Sequence, residues 1–521
     1  MGYAGKSRAT IPPNNTTPAH DARWLGSLKM WKRACATGML VALSATASNA
    51  QELSFRFETS EQEFTPLHSY VAAEVGSHDA MFFCGITGFG MHVLSTPKGP
   101  APIFALKPDY NQDIILVDED AGTMMSGSLA HLSATLRDAL LVTNPSAYQH
   151  GDTLYIYGGY GPNSDGTDVV TKPNVIEVDL LAVRAAIIAE TPIPEAAFTV
   201  TVSEPARAAG AEIFPLEDGR FVLYGGANFA GDYPSHTIEQ YTDAMQVFDL
   251  SSSSTVPVQT IVSEDMFVTT DLHRRDLNGY AATSLGARGA RTYGFTVTGG
   301  VFKFGFAHYD TPVTWMDGDT YAVEDTGSII KLNLYHGPTA GFFAESAGQN
   351  RLVHFGGITA YDTLESEFAN FGLPWSDMVS ECVFDGTTFV EERVLGNTPA
   401  PIAVGHFIEN RTLPTAENTQ IELDQLPPAE IRLGAIFGGI HAAEATENPM
   451  TWASSEVVDV YMVKGVRGDI SGNGVTDAGD LAELLAAWGG GYGTSDLNWD
   501  GIVDAGDIAV LLSYWGRDYP G

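Results

Sequence analysis

Oxygen-bearing side chains recur, mostly two residues apart, in two segments near the end of the chain. The segments are GDISGNGVTDAGD (468–480) and SDLNWDGIVDAGD (495–507), and they superpose at an offset of 27 residues. Calcium takes about six to eight oxygen ligands, and a loop of this spacing, with glycine at its sixth position for a sharp turn, supplies them. The spacing therefore predicts two calcium sites.

Each loop offers its ligands at the same relative positions. The predicted ligands of the first site are Asp469, Ser471, Asn473, the carbonyl group of Val475, Asp477 and Asp480. The predicted ligands of the second site are Asp496, Asn498, Asp500, the carbonyl group of Ile502, Asp504 and Asp507. Because the first loop has three carboxylates and the second has four, we expect the second site to bind calcium more tightly.

A helix is predicted after each loop, because apolar residues recur there at helical spacing. The residues are Leu481, Leu484, Leu485 and Trp488 in the first copy, and Ile508, Leu511, Leu512 and Trp515 in the second. Such spacing gives each helix one apolar face, and we expect the two faces to pack together. A unit of about 50 residues buries little apolar surface, so calcium should be required for its folding.

The segment resembles a type I dockerin, since an aspartate rather than a glutamate closes each loop and one helix follows each loop. The resemblance implies docking onto a cohesin-like or cell-surface protein, usually in assemblies that degrade polysaccharides. Ala478–Gly479 and Ala505–Gly506 stand where cellulosomal dockerins often carry hydroxyl-bearing recognition residues. That departure argues against a standard cellulosomal cohesin as the partner.

Apolar strands that end in a pair of glycines recur through the middle of the chain. They are TLYIYGG (153–159), RFVLYGG (220–226), YGFTVTGG (293–300), RLVHFGG (351–357), RLGAIFGG (432–439) and a degenerate copy, MFFCGITGFG (81–90), with Cys84 in the first glycine position. Further strands are predicted at 174–180, 244–250, 328–334, 381–389 and 456–463. Enrichment in β-branched and aromatic residues between turns predicts short antiparallel strands. Repetition of the unit favours a closed radial array, which protects the edges of its sheets.

The repeated unit, with FDGTTF at 384–389, resembles the kelch repeat of galactose oxidase-type propellers over about residues 60–464. The resemblance implies an all-β, kelch-like β-propeller of six blades, with seven as the alternative, followed by a small all-α calcium-binding domain. ELSFRFE (52–58) is predicted to complete the last blade. The predicted domains are a signal peptide (1–50), the propeller (51–465) and the dockerin-like domain (466–521).

One predicted link between blades concentrates basic residues in an acidic chain. The link contains His273, Arg274, Arg275 and Asp276. Adjacent guanidinium groups can hold a carboxylate or a sulfate through paired hydrogen bonds, so this segment is a predicted ligand site. The alternative is ion pairing between blades. The long loops after the glycine pairs also carry aromatic residues, such as Tyr309 and Trp452, that suit stacking on sugars or capture of a peptide.

Charge and the N-terminal residues indicate the compartment. The chain has 64 acidic and 27 basic residues, a net charge of −37, which disfavours binding to nucleic acid or to anionic lipid. Lys32 and Arg33 precede the apolar run ACATGMLVALSA (34–45) and a small-residue site that ends at Ala50. This order is typical of a secretory signal, with Met30 as a candidate start, and predicts a secreted protein without membrane insertion.

Two cysteines, Cys84 and Cys382, remain after the predicted signal. They are expected either as buried thiols or as a pair.

The preferred function is non-catalytic: a secreted propeller that binds glycan or protein and is tethered through its calcium-dependent domain. The alternative is a carbohydrate-active enzyme, namely an oxidase, lyase or glycosidase, carried by the same tether. No tyrosine, histidine and cysteine set has the spacing of a copper oxidase, and the sialidase motif S-x-D-x-G-x-x-W is absent from the sequence. Glycosidases need a pair of carboxylates, and the sequence does not single one out, so no catalytic residue is assigned.

Overall fold

The computed structural model describes residues 52–62, 64–87, 110–163, 166–231, 238–263, 271–303, 307–359, 361, 364, 375–427, 430–443, 445, 451–465, 468–471, 475–490, 495–497 and 502–516. The predicted signal peptide and its cleavage site lie outside these residues. None of the described helices is long and apolar enough to cross a lipid bilayer.

The described residues form a mostly β structure in which six antiparallel sheets of four main strands follow one another along the chain. The first three sheets consist of Val71–Val75, Asp79–Phe83, Asp113–Asp118 and Thr123–Ser128; Ser146–His150, Thr153–Tyr157, Asn174–Asp179 and Phe198–Val202; and Glu212–Pro215, Arg220–Tyr224, Ala244–Asp249 and Gln259–Val262. The other three consist of Gly279–Leu285, Arg291–Val297, Val313–Met316 and Val323–Glu324; Thr339–Ala344, Gln349–Ile358, Trp375–Asp385 and Thr388–Asn397; and His406–Glu409, Glu430–Phe437, Val457–Gly465 and Glu52–Thr59. The prediction of an all-β chain is confirmed at this level.

The first strand of each sheet in the order above contacts the first strand of the next sheet, and the sixth contacts the first. We call these six strands the inner strands. Apolar clusters fill the space between each pair of neighbouring sheets, with Ile156, Phe221, Phe295, Leu352, Phe355 and Phe82 as representatives. The sheets therefore form a ring whose stability comes from apolar burial between faces, at roughly 25 cal/mol per Å².

The ring is closed by residues from both ends of the β-rich region. Glu52–Thr59 pairs antiparallel with Val457–Gly465, in a register that runs from Glu52 opposite Gly465 to Thr59 opposite Val458. The prediction that residues 52–58 complete the last sheet is confirmed. Closure in this way pairs a strand edge that would otherwise be exposed.

The glycine pairs, or Cys84–Gly85 in the first sheet, follow the second strand directly or after one residue in five of the sheets. In the fifth sheet, Gly356 and Gly357 lie within Gln349–Ile358, where the strand register shifts. Gly158 and Gly159 have φ angles of 64° and 87°, in the left-handed region. A Cβ atom on Gly158 would lie 2.1 Å from the carbonyl oxygen of Ala208, so the strand turns directly against the link to the next sheet. In the degenerate copy, Cys84 and Gly85 have φ angles of 64° and 86°, which confirms that Cys84 takes the first glycine position.

Two predicted strands differ from the structure. Residues 381–389 span a hairpin, because Trp375–Asp385 ends and Thr388–Asn397 begins within them. Residues 328–334 are irregular, and the third strand of the fourth sheet is Val313–Met316. Ile330, Leu332 and Leu334 are fully buried. The alternation of apolar residues that suggested a strand is therefore satisfied by packing a link between sheets, without strand pairing.

Shorter elements decorate the ring. Three small sheets are built from Tyr160–Pro162, Val169–Thr171, Ala227–Ala230 and Ile238–Tyr241; from Val301–Lys303 and Ala307–His308; and from Ile402–Ala403, Ile440–Ala442 and Thr451–Ala453. Ile421–Glu422 adds a short parallel strand to the fifth sheet. Two α-helices, Ala134–Leu140 and Leu180–Ile188, and five 3₁₀ turns, Leu129–His131, Glu195–Ala197, Glu204–Ala206, Ala287–Gly289 and Leu423–Gln425, lie in connections. Cys84 and Cys382 are separate, buried thiols.

The C-terminal residues form two contacting α-helices, Ala478–Ala486 and Ala505–Tyr514. The backbone N–H of Gly489 donates to the carbonyl of Val503 at 2.9 Å, and that of Gly516 donates to the carbonyl of Thr476 at 2.8 Å. These bonds join equivalent positions of the two copies reciprocally, as an internal two-fold relation requires.

Only half of the predicted apolar face is buried between these helices. Leu484 and Leu511 are fully buried, and Leu481 and Ile508 are partly buried beside them. The remaining residues, Leu485, Trp488, Leu512 and Trp515, are 44–54% exposed. The prediction that the whole face packs inward is wrong, because each helix has a single helical neighbour here, which covers only part of a four-residue stripe.

Candidate functional site

A cavity of about 740 Å³ lies among the inner strands, and all six contribute to its wall. Representative lining residues, one from each inner strand, are Glu74, Gln149, Glu212, Tyr280, Thr339 and Glu409. Its volume is within the range of about 300–1,000 Å³ that is typical of small-molecule sites. His406 lies on an inner strand and lines the cavity, yet it is exposed, so solvent reaches the cavity.

A belt of backbone hydrogen bonds borders this cavity. Just before each inner strand, one residue adopts a left-handed conformation, and these residues are Ser69, Asn144, Gly210, Asp276, His336 and Val404. The N–H of Asn144 donates to the carbonyl of Ser69 at 3.0 Å, and the N–H of Gly210 donates to that of Asn144 at 3.0 Å. Asp276 donates likewise to Gly210 at 2.8 Å, and Val404 to His336 at 2.6 Å. Left-handed conformations are costly for residues other than glycine, and these inter-sheet bonds help to hold them.

Three glutamates face the cavity from different inner strands. Glu409 accepts a hydrogen bond from the hydroxyl group of Tyr280 at 2.5 Å. Burial raises the pKa of Glu409 to about 8, and the Tyr280 hydrogen bond opposes that shift while the neighbouring Glu74 adds to it. Burial also raises the pKa of Glu212 to about 7 and moves the pKa of Glu74 upward. The cavity therefore holds carboxyl groups that exchange protons near neutral pH.

Arg411 is the cationic side chain in the described wall of the cavity, and its hydrogen-bond donors are used within the protein. It pairs with Glu74 at 3.0 Å and with Glu119 at 3.1 Å. It also donates to the carbonyl oxygens of Val75 and Gly76 at 3.3 and 3.1 Å. These contacts join the sixth sheet to the first and leave the guanidinium committed to the structure.

Two histidines, His336 and His406, line the wall. Burial moves the pKa of the half-buried His336 downward, so its imidazole is neutral at physiological pH. The ring of His336 stacks on Tyr335 with centroids 5.5 Å apart. A neutral imidazole offers the cavity one donor and one acceptor, and no charge.

The predicted ligand segment lies beside the cavity, and its arginines make ion pairs within the chain. Arg274 is fully buried, donates to the carbonyl oxygen of Thr311 at 2.8 Å and pairs with Glu324 at 3.1 Å. Arg275 pairs with Glu239 at 2.9 Å and also donates to the carboxylate of Asp276. Both guanidinium groups therefore form ion pairs within the protein, which is the alternative interpretation of this segment. Binding of an external anion there remains a prediction.

The other two residues of that segment are similarly engaged. His273 contacts Asp243 at 2.6 Å and stacks on Tyr241 with ring centroids 3.9 Å apart. Asp276 accepts a hydrogen bond from the Asn144 amide at 3.3 Å and lies 3.6 Å from His336 Nε2. The segment thus supports the belt around the cavity.

The calcium loops are described in part. Asn473, Asn498 and Asp500 lie outside the described residues, whereas the other nine predicted ligands lie within them. Asp477 and Asp504 cap the two helices, since each accepts a hydrogen bond 2.6 Å long from the backbone two residues later. Asp480 accepts from the N–H groups of Ser471 and Asp477 at 2.8 and 2.7 Å, and Asp507 accepts from Asp504 at 2.7 Å.

Three predicted calcium ligands are fully buried, namely Asp480, Asp496 and Asp507. Burying carboxylates in so small a unit is costly, and metal coordination is one of the ways in which proteins offset that cost. The donor set is also the hard oxygen set that calcium prefers, so these residues fit the ion. Across the part of the chain that the structure describes, no three His, Cys, Asp or Glu side chains are grouped closely enough to hold a metal.

The aromatic residues of the long loops are mostly buried where the structure describes them. Tyr309, Trp315 and Trp375 are fully or almost fully enclosed, and Trp452 is 41% exposed. Tyr233 and His236 lie outside the described residues. The described loop aromatics therefore serve mainly as packing.

Sequence analysis missed the cavity residues Glu74, Glu212, Tyr280, His406 and Glu409. Each is a single polar residue in a different short strand, and the ring brings together positions that are far apart in the chain. Their position in the repeat could have identified them. Each inner strand directly follows a link between sheets, as the strand after DLHRRD does, and the strands in that position line the cavity.

Comparison with known proteins identifies no family for the chain. No protein-family model matches it, and no curated protein matches it. Among solved structures, one described as "Structure of YjhT" matches with a TM-score of 0.42 and 12% sequence identity, over 76% of this chain and 95% of that chain. A match at that TM-score supports no conclusion about fold family or activity.

Proposed function

We propose that this chain is a secreted, six-bladed, kelch-like β-propeller that binds a glycan in its axial cavity and is tethered through a calcium-ordered, dockerin-like domain. The observation that carries the binding function is the cavity of about 740 Å³, to which all six inner strands contribute. Six successive four-stranded sheets with contacting inner strands support the propeller and its blade count.

The cavity wall suits a ligand rich in hydroxyl groups. Its polar groups include the Glu409–Tyr280 pair, two histidines and the side chains of Gln149 and Asn144. Sugars bind through many hydrogen bonds to such mixed donors and acceptors, placed among apolar surfaces. Phe214, Leu277 and Leu413 supply apolar surface in the same wall.

The tether rests on the two matched loops and on the exposed half of the C-terminal helices. The ions would be held by the aspartates of the two loops, namely Asp469, Asp477, Asp480, Asp496, Asp504 and Asp507. Their positive charge would offset the cost of burying these carboxylates close together. Leu485, Trp488, Leu512 and Trp515 are exposed. Exposed leucine and tryptophan side chains on a small acidic domain suit contact with a cohesin-like or cell-surface partner.

Titration of the full chain with oligosaccharides tests the binding function. We expect one or more oligosaccharides of a neutral, acetylated, amino and uronate panel to raise the melting temperature without release of product. Thr339→Phe would place a ring at a half-buried position of the cavity wall and should abolish the shift, whereas Thr388→Phe, at an exposed position of an outer strand, should retain it. Loss of binding in both variants, or in neither, would contradict the cavity as the site.

A carbohydrate-active enzyme is the second candidate, and one observation favours it. Glu409 lies beside Tyr280 and Glu74 in a solvent-reached cavity and has a pKa of about 8, so it is protonated at neutral pH as a general acid must be. Chromatography of the same incubations distinguishes the candidates. Products that disappear with Glu409→Gln would establish the enzyme.

A further inference from the structure

We propose that the axial cavity selects ligands that carry a primary amine, with an amino-sugar oligosaccharide as the ligand, and that the carboxylates of Glu212 and Glu409 receive the ammonium group. This inference rests on the proposed glycan-binding function and specifies its ligand class.

The first step is the inventory of charge in the cavity. Its wall contains three carboxyl groups, those of Glu74, Glu212 and Glu409, against the single guanidinium of Arg411. His336 is neutral because burial lowers its pKa. The chain as a whole has a net charge of −37, which adds a negative background. Because that guanidinium is already paired with Glu74 and Glu119, an anionic sugar such as a uronate would find no available cationic partner in the described wall.

The three carboxyl groups differ in whether they already have a cationic partner. Glu74 is paired with Arg411 at 3.0 Å. For Glu212 and Glu409, no lysine or arginine of the described residues lies within ion-pair distance, and Glu409 has a hydroxyl partner, Tyr280. A ligand ammonium group would supply the missing positive charge, with charge-assisted hydrogen bonds that are shorter and stronger than neutral ones.

The third step is the placement of these two groups. Glu212 is on the inner strand of the third sheet, and Glu409 is on that of the sixth. In a ring of six sheets, the third and the sixth are opposite each other. An oligosaccharide that enters the cavity thus meets a carboxyl group on either side, and successive amino sugars can use both.

Protonation gives this proposal a distinctive signature. Burial raises the pKa values of Glu212 and Glu409 to about 7 and 8, so both carry protons for part of the time at neutral pH. An ammonium group at hydrogen-bond distance favours the carboxylate and displaces that proton to solvent. Tyr70, Tyr280, Glu74, Arg411, His336 and His406 are the other titratable or charged residues of the described cavity wall.

Isothermal titration calorimetry on the full chain tests the inference. The probes are a β-1,4-linked glucosamine hexamer, its fully N-acetylated counterpart, a hexagalacturonate and 1,4-diaminobutane. We expect the glucosamine hexamer to bind about tenfold or more tightly than the acetylated hexamer, and the hexagalacturonate not to bind. Repeating the titration at about pH 6, where the glucosamine amines and both glutamates are mostly protonated, in buffers of different ionisation enthalpy should reveal proton release on binding of the glucosamine hexamer and none with the acetylated hexamer.

Matched variants assign the contact. Glu212→Gln and Glu409→Gln keep the size of each side chain and should each weaken glucosamine binding about tenfold or more, whereas Glu61→Gln, at an exposed position, should leave it unchanged. Equal binding of the amino and acetylated hexamers, with silent glutamine variants, would overturn the inference and leave glycan binding intact. Binding of no oligosaccharide would overturn both. If diaminobutane binds as tightly as the glucosamine hexamer, the cavity recognises amines, but the proposal that the amine belongs to a glycan is overturned.

Discussion

Gly158 shows how one atom enforces the turn at the end of the second strand of a sheet. Gly158→Ala would place a Cβ atom 2.1 Å from a backbone oxygen, and it would also force alanine into a left-handed conformation with a φ of +64°. We expect a loss of about 3 kcal/mol or more in the free energy of unfolding. Gly122→Ala, with a φ of +61° and nothing within 4 Å, should lose about 1–2 kcal/mol from the left-handed conformation alone. Denaturant titration compares them, and equal losses would contradict the close contact.

Glu409 should make stability depend on pH. Its pKa is about 8 in the folded protein against an ordinary value of 4.5, so the folded state binds the proton more tightly than the unfolded state. The resulting stabilisation is complete below about pH 4.5 and is lost as the pH rises through about 8, by an amount on the order of a few kcal/mol.

Thermal melts of the wild type and Glu409→Gln between about pH 5 and 9 measure this effect, because that range includes values below and above the folded pKa of Glu409. The wild type should lose stability relative to the variant as the pH rises. Glu74, His336 and His406 titrate in both proteins, so their contributions largely cancel in the difference. Parallel curves would contradict a raised pKa of Glu409.

The strand Glu52–Thr59 joins the start of the β-rich region to its end. Leu53 is buried in the apolar cluster that it shares with Met462 and Val460, so Leu53→Ala should cost about 2–4 kcal/mol. Arg56, on the same strand, forms exposed ion pairs with Glu58 and Glu430, and Arg56→Ala should destabilise the protein much less than Leu53→Ala does. Urea unfolding measures both, and a silent Leu53→Ala would mean that this strand does not stabilise the ring.

The two C-terminal helices permit a comparison of adjacent leucines. Leu484 is fully buried and Leu485 is 51% exposed. Leu484→Ala should therefore destabilise the packing of the two C-terminal helices by about 2–4 kcal/mol, and Leu485→Ala should change it by less than about 0.5 kcal/mol. Limited proteolysis between residues 478 and 514 reports local unfolding. Greater cleavage of Leu485→Ala would contradict the described packing.

These elements also show what the sequence can and cannot predict. Glycine pairs, Cys84 in the degenerate copy and the closing strand 52–58 were predictable, because a positive φ and an unpaired sheet edge impose local residue requirements. Residues 328–334 were assigned wrongly, since apolar alternation reports burial and not strand pairing. Glu212 and Glu409 carry no local signal, because their proximity to the cavity depends on the order of the sheets in the ring.

At the scale of the whole molecule, the ring and the C-terminal helices differ in how they are stabilised. The ring has apolar clusters between all neighbouring sheets and pairs its own first and last strands. The segment with the C-terminal helices has a buried core of only four described residues, Leu484, Leu497, Val503 and Leu511. A core of that size gives little hydrophobic stabilisation, so its folding should depend on the ions that its aspartates are proposed to hold.

Chelation of divalent ions should therefore separate the two parts. We expect calorimetry of the calcium-loaded chain to show a small and a large transition, and EDTA to abolish the small one while shifting the large one by less than about 2 °C, because binding to the folded state alone stabilises only the domain that binds. Asp480→Asn with Asp507→Asn, two buried predicted ligands, should reproduce the effect of EDTA, whereas Glu483→Gln, exposed on the same helix, should not. A small transition that persists in EDTA, or a ring that melts with it, would exclude calcium-dependent folding confined to this domain.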